Sequence, residues 1–161
     1  MSPLFAKLNL KDHGAILLLQ APASFEAEIA GLGAVRVLRD LCNAGRIAFV
    51  LAFVTRRAEI EQLAPAMCER AIDDPIIWFA YPKGSSKNYR CDFNRDTGWA
   101  ALGAAGFEAV RQVAIDADWS ALRFRRVQFI KSLTRDPARA RSALGRARTM
   151  KRADGPGGGQ A

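Results

Sequence analysis

The segment Pro82-Lys83-Gly84-Ser85-Ser86-Lys87-Asn88-Tyr89-Arg90 gathers three cations, two serine hydroxyls and a glycine within nine residues. Lys83, Lys87 and Arg90 could hold a phosphate or carboxylate through charge-assisted hydrogen bonds, with Ser85 and Ser86 as neutral donors. A phosphate-binding P-loop needs glycines at fixed offsets before its lysine, and this segment lacks them. It is therefore a candidate anion-binding loop of another kind. A short basic loop is also what solvation alone produces, so both readings stand at this point.

A second candidate is the turn Leu19-Gln20-Ala21-Pro22-Ala23-Ser24. Dinucleotide-type folds bind their cofactor after the first strand, where glycines let backbone amides approach the ligand. This turn has no glycine, and Pro22 removes one amide donor. Asp40 stands where an acidic residue would meet a ribose. Gln20, Ser24, Asp40 and Thr55 thus complete a candidate crevice at the carboxyl ends of the first strands. No motif supports a cofactor there.

Other chemistries find less support. The single histidine, His13, lies in the Lys11-Asp12-His13-Gly14 turn before the first strand, at the wrong end of a sheet to serve as a base in that crevice. It is expected to be an exposed turn residue. Cys42, Cys68 and Cys91 are widely spaced and make neither a disulfide framework nor, with one histidine, a zinc set. Cys42 and Cys68 read as small buried groups; Cys91 is flanked by Arg90 and Asp92, but adjacency alone does little to make a thiol reactive. In Asp92-Phe93-Asn94-Arg95-Asp96-Thr97 the alternating acceptors lack the glycine and glutamate of a calcium loop. Asp96 or Thr97 is expected to cap the following helix. No acid, base and nucleophile assemble, so no catalytic or metal site is expected.

The elements that position these residues are legible as patterns. Ala15 to Leu19, Ile47 to Val54 and Ile76 to Tyr81 are apolar on both faces, which suits central strands of a parallel sheet covered on both sides. Ser24 can cap a short helix carrying Phe25, Ile29 and Leu32 on one face. Thr55 can cap a longer one carrying Ile60, Leu63, Ala64, Met67 and Ala71, with a kink or break expected at Pro65. Val35 to Leu38 forms a short strand. Eight residues link Leu38 to Ile47, too few for a full crossover helix, so one helical turn is expected at Leu41-Cys42. Trp99 and Leu102 share a helical face that Gly106 ends. Beyond residue 107, alternation predicts an antiparallel hairpin, with a bulge where the phase slips at Arg125-Arg126. Trp78 and Trp99 are expected in the core, and Trp119 at the hairpin turn is expected to pack.

The fold class predicted is a three-layer, Rossmann-like α/β sheet of about six mostly parallel strands ending in an antiparallel β-hairpin. This order is similar to the sheet of S-adenosylmethionine-dependent methyltransferases with one strand–helix unit missing. More specifically, Lys7-Leu8-Asn9-Leu10, Leu17-Leu18-Leu19-Gln20-Ala21-Pro22, Trp78-Phe79-Ala80-Tyr81-Pro82-Lys83 and Asp118-Trp119-Ser120-Ala121-Leu122-Arg123-Phe124 resemble a bacterial family catalogued as domain of unknown function 3052. The resemblance implies this fold and a bacterial cytosol. It implies no reaction and transfers no catalytic residue.

The chain has 161 residues, half of them apolar and a quarter charged, with a net charge of +8. That composition suits one globular domain, assigned here to residues 1–130. The longest uncharged run, Gly14 to Phe25, has 12 residues, short of the ~20 a spanning helix needs. No signal peptide is expected. Residues 131–161 hold 8 Lys/Arg against 2 Asp/Glu and are expected to form a disordered tail with a transient helix from Pro137. Such a segment suits non-specific, salt-dependent nucleic-acid binding. The partners expected are therefore a small anion in the crevice and nucleic acid at residues 131–161, with no membrane. A non-catalytic ligand-binding or interaction module on a degenerate methyltransferase-like fold is the leading function. A nucleic-acid-associated protein and a small-molecule methyltransferase are the alternatives.

Overall fold

A computed structural model describes residues 2–130. The apolar runs become the middle of one sheet made of β1 (Ala15–Leu19), β2 (Arg36–Leu38), β3 (Ile47–Phe53), β4 (Ala71–Pro82), β5 (Phe107–Ala114) and β6 (Trp119–Arg126). Their order is β2-β1-β3-β4-β6-β5. β2, β1, β3 and β4 run parallel, and β6 pairs antiparallel with both β4 and β5. This is the Rossmann-like sheet with an antiparallel end.

Helices cover both faces, which is why the central strands carry apolar residues at both parities. On one face α1 (Pro3–Lys7) and α2 (Glu26–Ala30) bring Leu4, Phe5 and Ile29 onto Ile16, Leu18, Phe49 and Trp78. On the other, α3 (Arg57–Arg70) and α4 (Ala100–Ala104) bring Ile60, Ala64, Met67 and Leu102 onto Leu17, Val50, Ile77 and Phe79. Trp78, Trp99 and Trp119 are all buried, as expected. The Trp78 indole N–H donates to the Leu8 carbonyl at 2.8 Å, tying the chain after α1 to the sheet. The eight-residue link from β2 to β3 holds one 3₁₀ turn, Leu41–Asn43, where the single turn was expected.

Several local expectations are corrected. Ser24 lies inside a 3₁₀ turn, Ala23–Phe25, and caps no helix. α3 starts two residues after Thr55 and runs unbroken through Pro65. Pro65 is exposed, so water can satisfy the carbonyl that its missing N–H frees. β4 begins at Ala71, before the apolar run, and residues 72–75 loop out of register with β3. The phase slip at Arg125-Arg126 is the end of β6, followed by a 3₁₀ turn at Val127–Phe129. The bulge sits on the partner strand instead. Ala109 pairs with Phe124 and Arg111 with Arg123, leaving Val110 as the extra residue.

The loop of residues 72–75 is fastened by charge. Arg125 Nε and Nη2 donate to Asp74 Oδ1 and Oδ2 at 3.0 and 2.8 Å. This bidentate bond holds the Asp74 carboxyl below its ordinary value, against a smaller opposing effect of burial. A depressed folded-state value stabilises the fold above the unfolded pKa, near 4, and that gain is lost as pH falls through the folded value. The two side chains are about a third exposed, so the pair is worth less than about 1 kcal/mol. Asp74→Asn is expected to lower stability by about 0.5–1 kcal/mol at neutral pH and to make no difference in strong acid. Urea unfolding at both pH values checks this; an equal deficit in acid contradicts it.

Among the described residues, no helix is long and apolar enough to cross a membrane. The basic segment 131–161, with its expected helix and nucleic-acid contact, lies outside the described residues.

Candidate functional site

In a doubly wound sheet the ligand crevice opens where neighbouring strands send their connections to opposite sides. Here that point lies between the carboxyl ends of β1 and β3, and the chain's own groups occupy its donors and acceptors. Gln20 adopts a left-handed conformation, φ 59°, without being glycine. Its side-chain amide crosses to the other strand and donates to the Phe53 carbonyl at 2.9 Å. Beyond β3, the Glu59 carboxylate accepts from the Thr55 and Arg56 amides at 2.9 and 3.0 Å and from the Thr55 hydroxyl at 3.2 Å. The Arg57 amide donates to Asp92 Oδ1 at 2.7 Å, from 35 residues away. A helix start offers free amides to an anion; at α3 Asp92 takes that of Arg57, and Glu59 takes those of Thr55 and Arg56 just before the helix. Asp40 is committed too, since its Oδ1 accepts from the Cys42 amide at 2.9 Å. The Ser24 side chain is exposed and makes no hydrogen bond among the described residues.

The open space lies further along, past β4. A cavity of about 540 Å³ is lined by Tyr81, Pro82, Lys83, Gly84, Ser86, Tyr89, Arg90, Cys91, Phe93, Asn94, Arg95, Gln112 and Ser120. Its volume falls in the range of small-ligand pockets. Lys83, Ser86 and Arg90 of the expected loop meet here, whereas Ser85 and Lys87 do not line it. Gln20, Ser24, Asp40 and Thr55 do not line it either, so the residues expected in one crevice divide between two places.

Strand pairing builds the floor. Tyr81 on β4 pairs with Ser120 on β6, and Gln112 on β5 pairs with Leu122 one step along the same face. Gln112 Nε2 donates to the Tyr81 hydroxyl at 3.1 Å. Burial pushes the Tyr81 phenol up, with Arg95 pulling the other way, so the hydroxyl keeps its proton.

The near wall is the loop after β4, gathered by Asp118 in the hairpin turn. The Ser86 hydroxyl donates to Asp118 Oδ1 at 2.8 Å, Asn88 Nδ2 donates to Oδ2 at 3.1 Å, and the Lys83 amide donates to the Asp118 carbonyl at 2.7 Å. Ser86 also accepts from the Asn88 and Tyr89 amides, so it shapes the loop.

The far wall is residues 91–97. Asn94 Oδ1 accepts from the Asp96 and Thr97 amides at 2.8 and 3.1 Å, and neither Asp96 nor Thr97 caps α4, correcting that expectation. Arg95 donates to Gln112 Oε1 at 3.1 Å and stands 3.9 Å from Asp96.

Electrostatically the cavity is one-sided. Lys83, Arg90 and Arg95 line it and no carboxylate does. Lys83 and Arg90 make no side-chain hydrogen bond or ion pair among the described residues. The Asp118 carboxylate accepts from the Ser86 hydroxyl and the Asn88 side-chain amide, and Asp92 Oδ1 accepts from the Arg57 amide. The thiols divide by burial. Cys42 is exposed, against expectation, because the short crossover leaves it at the surface. Cys68 is buried, and burial pushes its thiol up to about 12 despite Arg126 nearby. Cys91 lines the cavity and donates to the Phe93 carbonyl at 2.9 Å. His13 is half-buried against Phe49, with ring centroids 5.5 Å apart, and is not the exposed residue expected.

The strand order, with an antiparallel pair closing one edge, defines a Rossmann-like α/β protein. No family model matches the chain, and no curated protein does. Solved structures similar to it include TrmN from Thermus thermophilus, with TM-score 0.48 and 10% identity over 77% of this chain and 47% of that one. Another is the fibrillarin pre-rRNA processing protein of Methanococcus jannaschii, with TM-score 0.47 and 12% identity over 78% and 69%. A third is yhhF of Escherichia coli, described as a methyltransferase, with TM-score 0.39 and 12% identity over 70% and 63%. The chain spans about half the length of TrmN. These scores add nothing to the strand order, on which the fold class rests.

Proposed function

We propose that this protein is a non-catalytic module that binds a small anion, a phosphate ester or carboxylate, in the cavity past β4. One observation carries the reading: three cations and no carboxylate line a cavity of about 540 Å³. Lys83 and Arg90 supply charge-assisted donors, the Tyr81 and Ser120 hydroxyls sit on the floor, and Arg95 closes the far side. The occupied groups at β1 and β3 support the non-catalytic part. An adenosyl cofactor there would have to displace the Gln20 bond to Phe53 and find amides that Glu59 and Asp92 now hold.

Thermal unfolding with inorganic phosphate tests this, since a ligand of the folded state raises the midpoint. Phosphate is expected to stabilise the protein, and Lys83→Ala and Arg90→Ala are each expected to weaken its affinity about tenfold, one charged hydrogen bond's worth. Lys87→Ala, outside the cavity, should leave it unchanged. Equal phosphate stabilisation in the Lys83→Ala/Arg90→Ala double variant would sink the site. Methyl transfer from S-adenosylmethionine by the purified protein would overturn the non-catalytic reading.

A further inference from the structure

The short link between β2 and β3 leaves a strip of sheet without a helix. Only eight residues join the strands, and they form a single 3₁₀ turn, Leu41–Asn43, which Arg70 Nη1 ties to α3 by donating to the Leu41 carbonyl at 2.7 Å. Above β1 and β2, on the α3 side, lies an open groove of about 260 Å³. Ala15, Leu38, Ala44 and Ala48 line it half-buried, and the three alanines leave room for another backbone to approach. Two strands about 4.8 Å apart present a strip roughly 10 Å wide, the diameter of one helix with its side chains.

The groove's charges are all at one end. Arg36 on β2 and Arg46 before β3 flank β1, and His13 precedes β1, so the three stand in a row across the amino ends of the strands. Both arginines are exposed and make no side-chain hydrogen bond or ion pair among the described residues. His13 Nδ1 accepts from the Lys11 amide at 3.1 Å, so its ring proton sits on Nε2 as a further donor. No carboxylate lines the groove.

We infer that this groove docks an amphipathic helix of a partner protein, antiparallel to β1, with an acidic last turn against Arg36 and Arg46. A helix in that direction turns its negative C-terminal end towards the arginines, as a crossover helix of the chain's own would. Other occupants fit less well. Residues 131–161 carry eight Lys/Arg and two Asp, which repels them from this rim. A second copy seated groove to groove would bring the same cations and no carboxylate to pair with them. Nucleic acid would use the cations but not the apolar floor. The groove is at the opposite end of the sheet from the anion cavity, and the inference does not depend on that site.

Fluorescence polarisation of the full chain with a labelled designed peptide tests it. The peptide is a helix of about 14 residues with leucines at i, i+3, i+4 and i+7 and two glutamates in its last turn. Saturable binding is expected, weakened about tenfold when the glutamates become lysines. Arg36→Glu/Arg46→Glu should reverse that preference; both positions are exposed, and circular dichroism checks that the variant is folded. Equal binding by a version with serines for leucines would assign the contact to charge alone, as residues 131–161 would give, and overturn the inference. So would an unchanged preference in the double variant, or no saturable binding.

Discussion

Trp99→Ala is expected to lower stability by about 4 kcal/mol and to abolish anion binding in the cavity past β4. The ring is 1% exposed and sits among Phe79, Tyr81, Phe93 and Phe124, with centroids 5.1 to 5.8 Å apart. Its indole N–H donates to the Asn94 carbonyl at 2.9 Å, so the same residue fills the core and anchors the far wall of the cavity. Deleting it leaves a void and frees residues 91–97. Trp99→Phe separates the two roles. It keeps most of the packing and loses the hydrogen bond, so about 1–2 kcal/mol of stability should go, with phosphate affinity falling more steeply than in a matched variant elsewhere in the core. Urea unfolding followed by circular dichroism gives the stabilities. A loss below about 1.5 kcal/mol for Trp99→Ala would contradict the packing described.

Gly98→Ala comes next, at about 3 kcal/mol. Gly98 has φ +94°, and an added Cβ would stand 2.7 Å from the Phe93 Cβ, backbone-proximal and unable to swing away. The conformational strain costs about 1–2 kcal/mol, and forcing the contact adds about 1–3. Gly106 provides the control, since its φ is +88° but nothing lies within 4 Å of an added Cβ. Gly106→Ala should therefore show the strain alone, about 1–2 kcal/mol. Equal losses at the two glycines would mean that the turn before α4 relaxes, and that the Phe93 wall is not held as described. Phosphate affinity should fall in Gly98→Ala and hold in Gly106→Ala.

Much of the sheet was legible because its central strands are apolar at both parities. Ala15 to Leu19 coincides with β1, and Ile47 to Val54 overshoots β3 by one residue. The failures have local causes. α1 has five residues and buries only Leu4 and Phe5, too little for a period to emerge. The start of β4 is hidden by the polar Asp73 and Asp74 and by Pro75, which lacks a ladder N–H; they form the loop held by Arg125. The leucine–phenylalanine parity of β6 was visible, but its consequence for Ser120, a polar residue at the inward parity, was the missed signal.

The site was half legible for a different reason. Lys83, Ser86 and Arg90 announce themselves by type and proximity in the chain. Gln112, Ser120 and Tyr81 come together only because β6 lies between β4 and β5, a fact of strand order that no local pattern carries. The same holds for Asp92, whose role is to satisfy the Arg57 amide 35 residues earlier. Placing Gln20, Ser24, Asp40 and Thr55 in the same crevice as Lys83 assumed one opening along the whole carboxyl edge. The side chains of Gln20, Glu59 and Asp92 divide that edge, and the space that stays open is on the β4 side.

An amide-resolved nuclear magnetic resonance titration of the full chain, with phenyl phosphate in one series and S-adenosylmethionine in the other, puts that division to its sharpest test. Phenyl phosphate should move the amides of residues 83–95 together with Gln112 and Ser120, while S-adenosylmethionine leaves residues 20–24 and 53–57 unmoved. Saturable shifts of those two stretches with S-adenosylmethionine, and none around Lys83 and Arg90 with the phosphate, would show that the ligand still seats between β1 and β3.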